Sequence, residues 1–564
     1  MSHENRAPAS PEALVKAGPV PRGDLDGLRR HWASDLVAGF LVFLVALPLC
    51  LGIALASGYP PIAGVLSAVV GGLLTGAISD SELTIKGPAA GLIVIAIGCI
   101  SSFGGTGFAD GEWSAGDQHA FECALAVGVA AAAIQVVLGV CRAGVLGELF
   151  PTAAVHGMLA AIGIVIVAKQ IPVALGESPA GHPLELLLRI PEEIAHANPA
   201  IALIGFVSLA ILVLWPRVAH RRGRRIPAPV VVLVVTIPLG LALGLDDPRG
   251  HAITIAGHSF ELSRRFLVDV PSDLLASLSL PDFTALAEPV AWKWVAMFAI
   301  IGTLESLLSA KAIELVDPWN RKTDLDRDNT AIGVGNLASA FIGGLPMISE
   351  IVRSRANIDA GARTRFANVA HALFLLVMVS AAPALLSLVP LSALGAMLVY
   401  TGCRLADPRE LAHVLEIGWE QLVVFVATIV GVLATDLLVG IAIGVGVEVL
   451  VHVANGAPLR VVFSAAPTVE VQPDGTARVR VPHGVLFSSW LGLRRTIERI
   501  SGRDRIVVDL SQARFVDHTA MRKLHAMASE LAARNIELEI QGLGQHLAIS
   551  KHPHATRKLA RALG

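Results

Sequence analysis

GGLPMISEIVRS, Gly343 to Ser354, breaks an otherwise apolar region with Gly-Gly-Leu-Pro and then sets Glu350 and Arg353 one helical turn apart. The flanking sequence has the composition of lipid-embedded helix. A charge at mid-bilayer costs about 2.5–3.5 kcal/mol even on the lenient insertion scale. Something has to offset that cost twice within four residues.

A second stretch of the same kind, LTIKGPAAGLIVIAIG (residues 83–98), joins a Gly-Pro break to a short apolar helix pattern. Counted from the N-terminus, it opens the third apolar segment, and the first stretch opens the tenth. The offset is seven. Short, Gly/Pro-interrupted segments at matching places in two halves point to an inverted-repeat transporter and to its site. A helix that starts at mid-bilayer leaves its first N–H groups without intrahelical partners, and those groups carry partial positive charge. Two such ends facing each other form an anion trap. The candidate substrate site is therefore the backbone at Gly87, Pro88, Ala89 and Ala90, and at Pro346, Met347, Ile348 and Ser349, with Arg353 adding a full positive charge. The competing reading is two ordinary kinks and a snorkelling arginine. Arg353 lies too far from either end of its apolar stretch for that to be comfortable.

The wider composition agrees. Of 564 residues, 54% are hydrophobic and 16% charged, against about 25% charged in soluble chains. Apolar runs recur from residue 35 to residue 455 and then stop. The expected organisation is a polar cytoplasmic arm (1–34) without a secretory signal, a transmembrane domain (35–455) and a soluble tail (460–564). About fourteen apolar segments can be placed, several of them short for a core that needs about 20 helical residues. The loops after even-numbered segments carry the cations: RVAHRRGRR (217–225), NRKTDLDR, GARTR and CRLADPRE. The 104–120 loop has neither Lys nor Arg, which puts both termini in the cytoplasm of a cell-membrane protein. The basic run at 217–225 reads as topology rather than as a nucleic-acid patch. GDLDGLRRHWASD, just before the first segment, reads as an amphipathic lead-in on the membrane surface.

Cys50, Cys99, Cys123, Cys141 and Cys403 are scattered and read as small buried hydrophobes. No metal site, cofactor, Walker-type loop or nucleophile–base set emerges, so neither an enzyme nor an ATP-driven pump is indicated. In the tail, TVEVQPDGTARVRV (468–481) has the alternation and turn of a hairpin. A helix at about 489–500, a strand at 505–510, a helix at about 519–534 and a strand at 536–543 complete a small α/β domain.

Taken together, DLVAGFLVFLVALPLCLGIALASGYPPIAGVLSAVVGG (35–72), KGPAAGL, LESLLSA (304–310) and GGLPMISEIVRSRANIDAGARTR resemble the SulP family of anion transporters. VVDLSQARFVDHTAMRKL (507–524) resembles the STAS domain that ends those proteins. The resemblance implies two inverted seven-segment repeats forming core and gate domains, a homodimer, and secondary transport by an elevator-like motion of the core. It also implies that Arg353 is the anion-site arginine, that Gly87, Pro88 and Ala89 open a half-helix, and that Glu305 is an acidic position tied to proton or sodium coupling. A purely structural Glu305 is the alternative. The sequence departs from the family pattern at Lys86 and Glu350, where small or apolar residues are usual, and in three further places. Leu49 stands where a glutamine is common. Met347 and Ile348 are apolar, leaving Ser349 and backbone N–H groups as neutral donors. The STAS loop reads DHTA (517–520), where Thr519 is either a phosphate acceptor or, more simply, a helix N-terminal threonine.

Lys86 and Glu350 are each badly placed alone. The expectation is that they pair across the two breaks, leaving Arg353 as the net positive charge. Glu350 paired with Arg353, or Glu350 as a proton carrier, are the alternatives. The function expected is transport of a small inorganic anion, sulfate or bicarbonate, across the lipid bilayer, coupled to H+ or Na+. An organic-anion (dicarboxylate) transporter and a membrane anion sensor signalling through its tail remain as rivals.

Overall fold

A computed structural model describes residues 20–560 apart from 108–112, 143, 146–149, 178–182, 222–225, 248, 256–257, 270–276, 315, 320, 436 and 533. Much of the N-terminal arm, part of the 104–120 loop and the end of the basic run at 217–225 lie outside the described residues. The chain is mostly helical and divides into two compact units, residues 1–144 with 166–401, and 145–165 with 402–564.

In the first unit, the expected surface lead-in is instead the opening of a 32-residue helix, Leu25–Ala56. Asp24 caps it, its side chain accepting the Gly27 N–H at 2.7 Å, which supplies one of the donors a helix start leaves open. Pro61–Val70 runs through a π-helical turn, Gly71–Thr75, into Gly76–Ile78. A Cβ on Gly71 would come within 2.5 Å of the Lys86 carbonyl oxygen. The glycine therefore permits the close approach of the broken segment.

Each of the expected apolar segments contains helix. Seven helices among the described residues are long and apolar enough to cross a membrane, and four further apolar helices span 10–17 residues. Pro183–His196 and Pro408–Ile417 were not anticipated. Both mix charges with apolar residues and so fall below any hydropathy threshold.

The two breaks differ from expectation in one informative way. The helices do not begin at Pro88 and Pro346. Ile85–Pro88 and Met347–Glu350 are strands, paired antiparallel with Ile85 opposite Glu350, Lys86 opposite Ser349, Gly87 opposite Ile348 and Pro88 opposite Met347. Helical structure starts after them, at Ala90 (a 3-10 turn to Leu92, then Ile93–Ser102) and at Ile351 (to Asp359). Proline disfavours the helical region for the residue before it, so Gly87 and Leu345 stay out of helix. Extended backbone buried in an apolar region needs hydrogen-bond partners, and each strand supplies the other's.

In the second unit, Trp419–Ala434 and Leu437–Ala454 pack closely; a Cβ on Gly440 would come within 2.4 Å of the Val432 nitrogen. In the C-terminal region the hairpin is present as Thr468–Val471 and Ala477–Arg480, turning through Gly475 at φ +85°. Ala477–Arg480 and Glu537–Gln541 flank Arg505–Asp509 in parallel. Helices Trp490–Arg499 and His518–Ala532 supply Trp490, Leu493, Met521 and Leu524 to a core with Val479 and Val508.

Candidate anion site

The ladder sets the geometry of the site. Side chains of a strand alternate between faces, and residues directly opposite share one. Lys86 and Ser349 therefore share a face, while Gly87, Ile348 and Glu350 belong to the other. This overturns the expected Lys86–Glu350 pair: the two residues are one step apart in register and project to opposite sides. The expectation assumed helix at both breaks, where no such alternation applies.

Lys86, wholly buried, places Nζ 2.7 Å from Asp328 Oδ1 and 2.6 Å from Ser349 Oγ. Asp328 also accepts from Ser79 and, at 3.3 Å, from Ser349 Oγ. Ser306 Oγ accepts the Ser349 N–H at 3.2 Å. The Ser349 hydroxyl and N–H are thus committed to this network, and Ser349 does not serve as the free donor it was expected to be. Met347 is committed likewise: its N–H donates to Asn336 Oδ1 at 2.6 Å, and Asn336 Nδ2 donates to Gln135 Oε1 at 2.8 Å. Pro346 lines a small cavity beside Tyr59, Gln135 and Phe298, with room for about one water molecule.

The opposite face carries Arg353, in the first turn of its helix and 1% exposed. Its Nη2 donates to the Pro88 carbonyl at 2.5 Å and lies 3.5 Å from Glu350 Oε1; its Nη1 is 3.5 Å from Cys50 Sγ. A Cβ on Gly87 would meet Nη1 at 2.6 Å, so glycine is what lets the guanidinium lie on the break. Glu350 takes the first of its two alternatives, the i, i+3 pairing with Arg353. Its carboxylate also faces the Ala90 N–H, the first of the other short helix. A carboxylate belonging to the chain therefore sits between a helix N-terminus and the arginine, where an external anion would be attracted. Ala89, buried, is the residue before that helix start.

Glu305, in the helix Pro289–Glu314, reaches the same helix start: a Cβ on Gly91 would fall 2.0 Å from its Oε1. It is 5% exposed, and neither carboxylate oxygen makes a hydrogen bond among the described residues. An unpaired buried carboxylate is costly if charged, so this group has to carry a proton or meet a cation.

Asp328, Cys50 and His371 were not anticipated as members of the cluster. Asp328 lies in the first turn of the helix Leu325–Phe341, capped by Asp324. His371 is fully buried within electrostatic reach of Arg353, with neither ring nitrogen hydrogen-bonded among the described residues. The signal available for it was an isolated histidine in an apolar helix, ANVAHALFLL. Thr519 is fully buried, its hydroxyl 3.4 Å from that of Thr152. A kinase would have to open that contact first.

With this geometry in view, the sequence profile described as the sulfate permease family matches residues 32–430. The chain belongs to that family. It is 24% identical over 527 residues to the YbaR protein of Bacillus subtilis, covering 92% of this chain and 97% of YbaR. Among solved structures, the fold is similar to that of the transmembrane domain of a cyanobacterial bicarbonate transporter, BicA. The TM-score is 0.58 at 22% identity over 74% of this chain and 98% of that domain. The murine Slc26a9 anion transporter in the inward-facing state superposes with a TM-score of 0.64 at 17% identity over 90% of this chain and 85% of that one. At these identities the two structures speak to the shared fold.

Proposed function

We propose that the chain is a secondary active transporter of a small inorganic anion, sulfate or bicarbonate. The observation that carries this reading is the ladder Ile85–Pro88/Met347–Glu350, which aims two helix starts and the buried Arg353 at one place. Two equal strands paired antiparallel, each leading into a short helix, are related locally by a two-fold rotation, as inverted repeats require. Family membership and the likeness to a bicarbonate transporter support an inorganic substrate.

In this reading the fourteen segments form two inverted sevens within residues 35–455, in a cell membrane with both termini cytoplasmic. Residues 460–564 are a STAS domain, and the transporter works as a homodimer whose core domain moves as an elevator. Gly87, Pro88, Ala89, Ala90, Pro346 and Arg353 bound the site. Glu350 is a tethered occupant: the incoming anion must displace its carboxylate from Ala90 and Arg353, and protonation of that carboxylate is one way to release it. Glu305 holds the coupling proton or sodium ion. The test is uptake of labelled sulfate and bicarbonate into proteoliposomes, with and without pH and sodium gradients, against chloride and fumarate. Saturable, gradient-accelerated uptake of an inorganic anion supports the proposal. Uptake of fumarate alone, or binding without net flux, would overturn it.

A further inference from the structure

Glu448, His452 and Asp517 lie in the second unit, and all three are fully buried. Glu448 and His452 are four residues apart on the helix Leu437–Ala454, which places them on one face. Asp517 immediately precedes the helix His518–Ala532. His452 Nε2 is 3.6 Å from Glu448 Oε1, and its Nδ1 is 4.0 Å from Asp517 Oδ2. One donor atom from each residue can be chosen so that all lie within 4.8 Å of one another.

Asp517 has a partial explanation of its own. It accepts the Phe487 and Ala520 N–H groups at 2.6 Å each, one on each oxygen, leaving a lone pair free on both. Glu448 and His452 have none: neither oxygen of the first and neither ring nitrogen of the second makes a hydrogen bond of ordinary geometry among the described residues. The imidazole packs against the Phe515 and Phe487 rings, with centroids 5.1 and 6.2 Å away, so its orientation is held. Two carboxyl groups and an imidazole are thus buried together with few hydrogen bonds among the described residues. Leaving such groups uncompensated is unfavourable.

We propose that Glu448, His452 and Asp517 bind a divalent transition-metal ion of the zinc class. The donor set, one imidazole nitrogen and two carboxylate oxygens, matches that chemistry and neutralises the ion's charge. Two ligands on a tetrahedral zinc ion stand about 3.4 Å apart, so the pocket has to close by roughly an ångström at its widest. Gln421, buried beside Glu448, or a water supplies the fourth donor. The ion joins the helix Leu437–Ala454 to the C-terminal α/β region.

The test uses the full chain in lipid nanodiscs with a histidine-free tag. The background carries His552→Gln and His554→Gln, because those imidazoles cluster with His413, His518 and His525 and would compete for metal. The chelator-stripped protein is titrated with Zn2+ and separately with Co2+, reading bound metal per chain and the cobalt d–d absorption. The expected result is one equivalent per chain and an intense four-coordinate cobalt spectrum. His452→Gln and Glu448→Gln should each weaken binding by more than roughly 100-fold, beyond the 10–100-fold typical of outer-shell losses. Absence of a stoichiometric site in the parent, or variants that bind as tightly as the parent, would overturn the proposal. If both variants fail to fold, the parent decides: a weak octahedral cobalt spectrum or no uptake refutes the site.

Discussion

Lys86 and Asp328 form a buried ion pair, Nζ to Oδ1 2.7 Å, on the face of the ladder opposite Glu350. Removing one partner strands the other charge, a loss of about 3–5 kcal/mol for buried pairs. Lys86→Met and Asp328→Leu should each depress the thermal unfolding midpoint in detergent, and the double variant should recover much of the loss. Lys86→Met and Glu350→Val, by contrast, should couple far more weakly, because the two side chains project to opposite faces of the ladder. Strong coupling between Lys86 and Glu350 in that second cycle would contradict the ladder register.

Gly87→Ala and Gly91→Ala test the two close approaches. The first would push the new methyl into Arg353 Nη1 and the second into the Glu305 carboxylate. Both should leave expression and the size-exclusion profile near wild type while lowering anion uptake by about tenfold or more, as misplacement by an ångström can do at a reacting or binding centre. Normal uptake by Gly87→Ala would mean that the guanidinium does not need its observed position.

Glu350→Gln removes the charge that competes with substrate for Ala90 and Arg353. The half-saturation concentration for the transported anion should fall, by about tenfold if the carboxylate occupies the site most of the time. The dependence of uptake on external pH should weaken as well. An unchanged half-saturation concentration and pH profile would remove Glu350 from the cycle.

Glu305→Gln keeps the shape of the side chain and cannot ionise or hold sodium. Gradient-driven accumulation should disappear while downhill exchange persists. Accumulation that continues unaltered would make Glu305 a structural carboxylate.

Much of this arrangement is legible in the sequence. The Gly-Pro breaks and the charge at Arg353 marked the site because irregular, charged backbone in an apolar region is tolerated only where it lines a cavity or meets protein. What was not legible followed from one local misassignment. Reading the residues after each Gly-Pro break as helix hid the strand alternation, and with it the true partners of Lys86, Ser349 and Glu350. Asp328 and Cys50 were hidden for another reason. Their roles arise from long-range packing, the first more than 240 residues and the second more than 300 residues from its partner. No periodicity in a single sequence reports contacts at that distance. His371 is likewise an isolated histidine in an apolar helix, and only its burial relates it to Arg353.

The most direct measurement of the central claim compares wild type with Arg353→Ala and Arg353→Lys in proteoliposomes, matched for folded protein by size exclusion. Labelled sulfate and bicarbonate influx is recorded on both sides of a half-saturating concentration. The account expects Arg353→Ala to fold and to lose influx, and Arg353→Lys to recover little of it, since an ammonium cannot span Pro88, Cys50 and Glu350 as the planar guanidinium does. Wild-type influx from a well-folded Arg353→Ala protein would contradict it.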